Sequence, residues 1–148
     1  ILATATVFFP LFVLVTLAYW PMHHGSLAII AMLPLFLLQT LTAWLLAYLL
    51  AILMAALRDV AQIVAFVFSV GVFAAPILFP LTMFPERWRW VLWLNPTTPY
   101  VLSYQNILLN GQWPSHASWI AIACTIAVVA VILNIVIGRS RDQLVDWL

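Results

Sequence analysis

Four long apolar runs with almost no charge limit what this chain of 148 residues can fold into. They cover roughly residues 1–20, 27–57, 60–79 and 118–138, and a helix that crosses a bilayer needs about 20 residues. Only helices satisfy every backbone polar group of such runs within hydrocarbon. We therefore predict an all-α, polytopic membrane bundle of four transmembrane helices, forming a single transmembrane domain over residues 1–148.

Composition excludes several other classes of protein. Residues are 67% hydrophobic and 6% charged, whereas soluble domains have about a quarter charged residues. The absence of Lys and a net charge of +1 argue against nucleic-acid binding. No pairing of His, Asp, Glu or Cys supports catalysis or a metal site, since His23 and His24 are adjacent and do not share a helix face. No glycine-rich phosphate loop is present, so we expect no cofactor on this chain.

Arginines set the expected orientation. Arg58 and Asp59 interrupt two apolar runs and predict a tight hairpin. The last run reaches Gly138, a good helix stop, before a polar tail at 139–148. Arg58, Arg139 and Arg141 outnumber Arg87 and Arg89 on the opposite side, which places the hairpin and the tail in the cytoplasm. The start lacks Met and signal-peptide features, so we expect a fragment of a longer protein.

The stretch from Phe84 to Gly111, here named the broken segment, reads as helix, break, helix. Pro85 and Glu86 suit a first helix start, and Asn95-Pro96 interrupts it. Thr98 as cap and Pro99 in the first turn predict a second start, which runs to the stop at Asn110-Gly111. Each piece is too short to span the membrane. The segment therefore either dips into the bilayer and returns, or lies flat in the interface as an aromatic belt.

Prolines and mid-helix polar residues add further predictions. Pro76 lies deep enough in the third run to predict a kink, whereas Pro80 and Pro85 suit ordinary helix ends. Hydrogen bonds across helices are predicted for the polar residues Gln39, Thr40, Thr42 and Asn134, any of which could instead face a channel.

Four short motifs, in their order and spacing, make this chain resemble the permease subunit of ABC-2 type polysaccharide exporters. These exporters move O-antigen, capsular polysaccharide and teichoic acid precursors. The motifs are Arg58-Asp59, Ala75-Pro76-Ile77, Pro85-Glu86 and Leu94-Asn95-Pro96. The resemblance implies that these four helices are the third to sixth of six, with a re-entrant helix pair at 84–111 acting as the outward gate.

The same resemblance implies partners and site residues. The permease would form a homodimer in the bacterial cytoplasmic (inner) membrane with an ABC nucleotide-binding ATPase, which would hold ATP and Mg, and would move a lipid-linked glycan. Flat aromatic rings can pack on sugar faces without fixed register. The gate candidates are Trp88, Trp90, Trp93, Asn95, Pro96, Tyr100 and Tyr104; an aromatic belt or core packing is the alternative for each aromatic.

Two other functions remain open from the residues. An ABC-2 permease for a drug or small lipid would share the fold. A membrane scaffold without transport activity would need no ATPase, and substitutions in its broken segment would affect stability alone.

Overall fold

The computed structural model describes residues 2–19, 27–57, 59–77 and 83–145, and within these ranges it contains helices and turns and no strand. This confirms the all-α prediction. Two 3-10 turns, Leu27–Ala31 and Glu86–Trp88, lead directly into α2 and α4. The α-helices are α1 Leu2–Tyr19, α2 Met32–Ala56, α3 Val60–Ala74, α4 Arg89–Trp93, α5 Thr98–Asn110 and α6 His116–Val145.

Two helical stretches in the described part of the chain are long and apolar enough to cross a membrane. They are Leu27–Ala56, which lies within the second predicted run, and His116–Arg139, which covers the fourth. Helices α1 and α3 have 18 and 15 residues. At 1.5 Å per residue they reach ~27 and ~22 Å, against a hydrocarbon core of ~30 Å. The count of four spans therefore stays a prediction.

The two long helices run parallel and in contact. One buried apolar cluster joins the start of α2, through Met32 and Leu35, to Ile122 near the start of α6. A second cluster joins Leu49 of α2 to Val129 and Leu133, farther along α6. Parallel packing follows because early residues meet early residues and late residues meet late ones.

Helix α1 runs antiparallel to α2. The rings of Phe9 and Phe36 lie 5.7 Å apart between centroids, and Thr16 Oγ1 donates to Met32 Sδ at 3.7 Å. The later residue of α1 thus meets the earlier residue of α2. The predicted turn between these helices, with His23 and His24, lies outside the described residues.

A tight hairpin joins α2 to α3, as predicted. The Leu57 N–H donates to Leu53 O at 2.9 Å, and the Val60 N–H donates to Leu57 O at 3.3 Å. Asp59 is exposed and immediately precedes α3. Arg58, the other residue of the predicted cytoplasmic pair, lies outside the described residues.

Pro76 ends α3 instead of kinking it, so the predicted kink is wrong. Helix α3 ends at Ala74, and Ala75 has extended backbone with φ −92° and ψ 144°. The proline ring disfavours helical geometry for the residue before it. The Ile77 N–H then donates to Ala75 O at 2.7 Å in a tight turn. Pro80 lies outside the described residues.

The predicted stop at Gly138 is also wrong, because α6 continues to Val145. A glycine inside a helix costs only about 1 kcal/mol relative to alanine. The residues after it, which include Arg139, Arg141 and Gln143, form helix well enough to extend a helix that already exists.

Candidate functional site

The broken segment contains a short first piece and a longer second piece. The first is the 3-10 turn Glu86–Trp88 followed by the five residues of α4, and the second is α5 with 13 residues. They are about 14 and 20 Å long, so neither crosses a ~30 Å core. The predicted order of helix, break and helix is observed, but the first piece is not one continuous helix. Its three tryptophans favour helix less than Leu or Ala do, and so short a run nucleates poorly.

Helix α5 ends as predicted and begins at Thr98, one residue earlier than predicted. Pro99 lies in its first turn, and Asn110 is its last residue. Gly111 has φ 61°, a left-handed conformation that glycine adopts without steric cost. The Gly111 N–H donates to Ile107 O at 3.2 Å, which closes the last turn.

The break itself is organised by Asn95. Its Oδ1 accepts hydrogen bonds from the Thr97 N–H at 3.0 Å and from the Thr97 hydroxyl at 2.8 Å. Thr98, predicted as the cap, does not cap α5. Its Oγ1 is buried and has no hydrogen-bond partner in the described part of the chain. Asn95 instead forms an Asx turn with Thr97, the residue just before α5, and no side chain in the described part of the chain caps the helix.

Asn95 also fixes where the break lies. Its Nδ2 donates to the carbonyl oxygen of Gly71 at 2.7 Å. Gly71 belongs to the last turn of α3, ~16 Å from the start of that helix at 1.5 Å per residue. The break therefore sits well along α3, on the side away from the hairpin at Asp59.

Two tyrosines attach α5 to α2. The Tyr100 hydroxyl lies 2.6 Å from Thr42 Oγ1 and 3.2 Å from Leu38 O, while Thr42 Oγ1 donates to Leu38 O at 2.8 Å. One consistent chain has Tyr100 donating to Thr42, and Thr42 donating to Leu38 O. One turn along, the Tyr104 hydroxyl donates to Gln39 Oε1 at 2.8 Å. The start of α5 thus lies beside the middle of α2, and α5 runs antiparallel to it.

Predictions for the mid-helix polar residues divide evenly. Gln39 and Thr42 bond across helices, as predicted. Thr40 and Asn134 instead bond to carbonyls of their own helices, Phe36 O and Ala130 O. Hydroxyl and amide groups commonly satisfy themselves this way when no partner faces them.

A third polar contact, from Gln105, was missed by sequence reasoning. Its Nε2 donates to the carbonyl oxygen of Pro76 at 2.8 Å, which ties α5 to the turn after α3. Ala75 and Pro76 are buried. A proline that ends a helix leaves a carbonyl without its helical donor, and in apolar surroundings that carbonyl needs another donor. A glutamine in the apolar helix that follows was therefore the available signal for this contact.

The predicted gate residues do not form one cluster. Asn95, Pro96, Tyr100 and Tyr104 lie together between α2, α3 and α5. Trp88 and Trp90 are 55% and 59% exposed, and Trp93 is half-buried. Leu92, 2% exposed, is the residue that α4 buries.

A largely apolar cleft of about 740 Å³ borders the break. Its polar groups gather toward α5, and the rest of the wall is aliphatic or aromatic. The lining residues are Gln39, Thr42, Ala43, Leu46, Ala47, Leu50, Ala51, Met54, Val64, Phe68, Ile77, Pro96, Thr97, Tyr100, Val101 and Tyr104.

Charged residues contribute little to this region. Arg89 Nη1 lies 3.5 Å from Glu86 Oε1, a pair in which the glutamate is 86% exposed, and such surface pairs stabilise a fold by at most about 1 kcal/mol. Arg89 Nε also donates to Phe84 O at 3.2 Å. No group of three or more His, Cys, Asp or Glu that could hold a metal occurs among the described residues.

An apolar chain whose described part is helical, with two helices long enough to cross a membrane, fits a membrane protein, and comparison with known proteins gives its family. Residues 1–136 match the family model described as ABC-2 family transporter protein. The chain belongs to this family, whose members are integral membrane proteins.

Particular relatives are export permeases. The chain is 30% identical over 142 residues to the O-antigen export system permease protein RfbA of Myxococcus xanthus, covering 93% of this chain and 53% of that protein. It is also 30% identical over 54 residues to RfbA proteins of Klebsiella pneumoniae, covering 36% of this chain and 21% of each relative. The chain thus spans about half the length of the Myxococcus relative. No solved structure matches it.

Proposed function

We propose that this chain is the C-terminal part of the channel-forming permease of an ABC exporter. Its substrate would be a lipid-linked polysaccharide such as O-antigen, capsule or teichoic acid, moved across the bacterial cytoplasmic membrane. The family and the names of the relatives support a transport subunit. ATP hydrolysis, with ATP and Mg, belongs to a separate nucleotide-binding subunit in this proposal, and a second permease copy completes the channel.

One observation carries the proposal: Asn95 holds a non-helical break against Gly71, near the end of α3. Irregular backbone at membrane depth is tolerated where it is buried in protein or lines a cavity. The break meets the second condition, because Pro96 and Thr97 line the cleft, and the Asn95 side chain is hydrogen-bonded to Gly71 and Thr97. This supports a re-entrant α4–α5 pair, with α1, α2, α3 and α6 as four spanning helices.

The aromatic residues divide into two roles within this proposal. Tyr100 and Tyr104 use their hydroxyls to hold α5 on α2. Trp88 and Trp90 present exposed rings instead. Such faces suit the C–H surface of sugars without fixing a register. The tyrosines therefore hold the gate, and the tryptophans are the candidates for contact with the moving polymer.

Replacing Trp88, Trp90 and Trp93 together by Ala should reduce polymer export at least tenfold, since three aromatic contacts of about 0.5–1.5 kcal/mol each sum to about 1.5 kcal/mol or more. The measurement is the amount of polysaccharide on the cell surface, with immunoblots of membranes to confirm insertion. Trp113→Ala is the matched control, because Trp113 is 57% exposed and lies beyond α5. Normal export by the triple variant would remove these rings from the gate.

The apolar cleft favours a second candidate, an ABC-2 permease for a drug or small lipid. Its volume of about 740 Å³ falls in the range of sites for drug-sized ligands, about 300–1,000 Å³. Deletion of the gene separates the two candidates. Specific loss of surface polysaccharide supports the first, and sensitivity to unrelated hydrophobic drugs with normal polysaccharide supports the second.

Orientation gives a further expected result. Cysteines placed at Asp59 and Gln112, in a Cys124→Ser background, should react with a membrane-impermeant maleimide from opposite sides. Both positions are exposed, and only Gln112 should label in intact cells freed of their outer membrane. Labelling of both from one side would contradict the four-span topology.

A further inference from the structure

Helix α3 is weakly packed compared with α2, α5 and α6. No residue of α3 belongs to either buried apolar cluster among the described side chains. Its phenylalanines Phe66, Phe68 and Phe73 are 70%, 55% and 67% exposed. Elements with few buried apolar contacts open at lower free energy than the rest of a fold. The position of α3 therefore depends strongly on its polar contacts.

Two side-chain amides of the broken segment contact the end of α3. Asn95 Nδ2 reaches Gly71 O at 2.7 Å, and Gln105 Nε2 reaches Pro76 O at 2.8 Å. Loss of the second contact should cost more free energy than loss of the first. Pro76 lies past the helix end in a buried turn, where water cannot replace a lost donor.

Helix α5 is held to α2 independently of these two amides. Tyr100 and Tyr104 bond to Thr42 and Gln39, and Ile107 is fully buried in the first apolar cluster. Loss of the Gln105 amide should therefore free the end of α3 while leaving α5 in place on α2.

We propose that Gln105, together with Asn95, is a positioning residue that holds the end of α3 to α5, so that α3 and the gate move as one body during transport. The role in transport rests on the proposed function. The contact itself does not, and it is tested by a measurement that needs no substrate.

The test places spin labels at cysteines substituted for Phe73 and Leu109, which are 67% and 65% exposed. The full-length protein carries Cys124→Ser and is reconstituted in lipid bilayers. Gln105→Met removes the donor and keeps the length of the side chain. Asn106→Ala is the matched control, because Asn106 is the next residue of α5 and, among the described residues, its side-chain amide accepts from Asn110 alone. We expect Gln105→Met to broaden the label distance distribution, and Asn106→Ala to leave it narrow.

Export measured in parallel should fall roughly tenfold for Gln105→Met, the factor expected when one buried carbonyl loses its donor. Gln105→Leu, which also lacks the donor, should broaden the distribution in the same way. A distribution as narrow as that of the parent protein would overturn the contact. A broadened distribution with unchanged export would overturn its role in transport. Failure of the proposed function would show as absence of polymer export by the parent protein, with the distance result still readable.

Discussion

Replacing Asn95 by Asp is expected to reduce export by about a hundredfold or more, because the part-buried carbonyl of Gly71 would lose its donor and face a carboxylate. The two side chains have nearly the same shape. Asp retains the acceptor for both Thr97 contacts. It replaces the amide that lies 2.7 Å from Gly71 O with a second oxygen. The attraction between residue 95 and Gly71 O becomes repulsion, while the hydrogen bonds to Thr97 are kept.

Asn106→Asp is the matched control for this change. Asn106 Oδ1 accepts from Asn110 Nδ2 at 3.3 Å, a role that a carboxylate can fill. Surface polysaccharide and membrane content of the permease are measured for both variants. Asn95→Ala, which loses both the donor to Gly71 and the acceptor for Thr97, should also reduce export. Full export by Asn95→Asp would show that the contact with Gly71 is not required.

Ile122→Ala is expected to lower the free energy of unfolding by about 2–4 kcal/mol, the usual range for truncating a buried aliphatic side chain. Ile122 is 1% exposed and joins α6 to the cluster formed by Leu35, Tyr100 and Ile107. Lipid is as apolar as isoleucine, so the loss comes from contacts across the cavity more than from transfer out of water.

Ile120 gives the matched comparison on the same helix. It is 64% exposed, so Ile120→Ala removes the same atoms without opening a cavity. Unfolding in mixed micelles with increasing SDS, followed by the tryptophan fluorescence of the purified protein, measures both variants. Equal losses for the two would mean that the first cluster is not the packed centre of the bundle.

Local chemistry made much of the fold predictable. Hydropathy located the helices. Residues with restricted or unusual backbone geometry located the ends of α5, where Pro99 lies in the first turn and Gly111 closes the last. These features depend on residues close in sequence. Gly138 failed as a stop because propagation of an existing helix outweighs one unfavourable residue.

The site was less predictable because its contacts join distant residues. The sequence predicts a helix break at Asn95, but the hydrogen-bond partner of this residue, Gly71, lies 24 positions away. Gln105 and Pro76 are separated by 29 positions. A sequence pattern shows that a polar side chain lies in an apolar helix, and only the packing of helices decides which carbonyl it meets. The resemblance to ABC-2 permeases supplied the family, whereas the division between bonded tyrosines and exposed tryptophans required the structure.

The unbroken course of α6 has a mechanical consequence. From His116 to Val145 it has 30 residues, so it is ~45 Å long and exceeds a ~30 Å hydrocarbon core by about 15 Å. Residues beyond Gly138 therefore continue the same rigid helix. A flexible tail at this position would absorb motion, whereas a helix transmits it. Torque applied to that end by a neighbouring subunit would reach α2 and α5 through the same packed face that holds the bundle together.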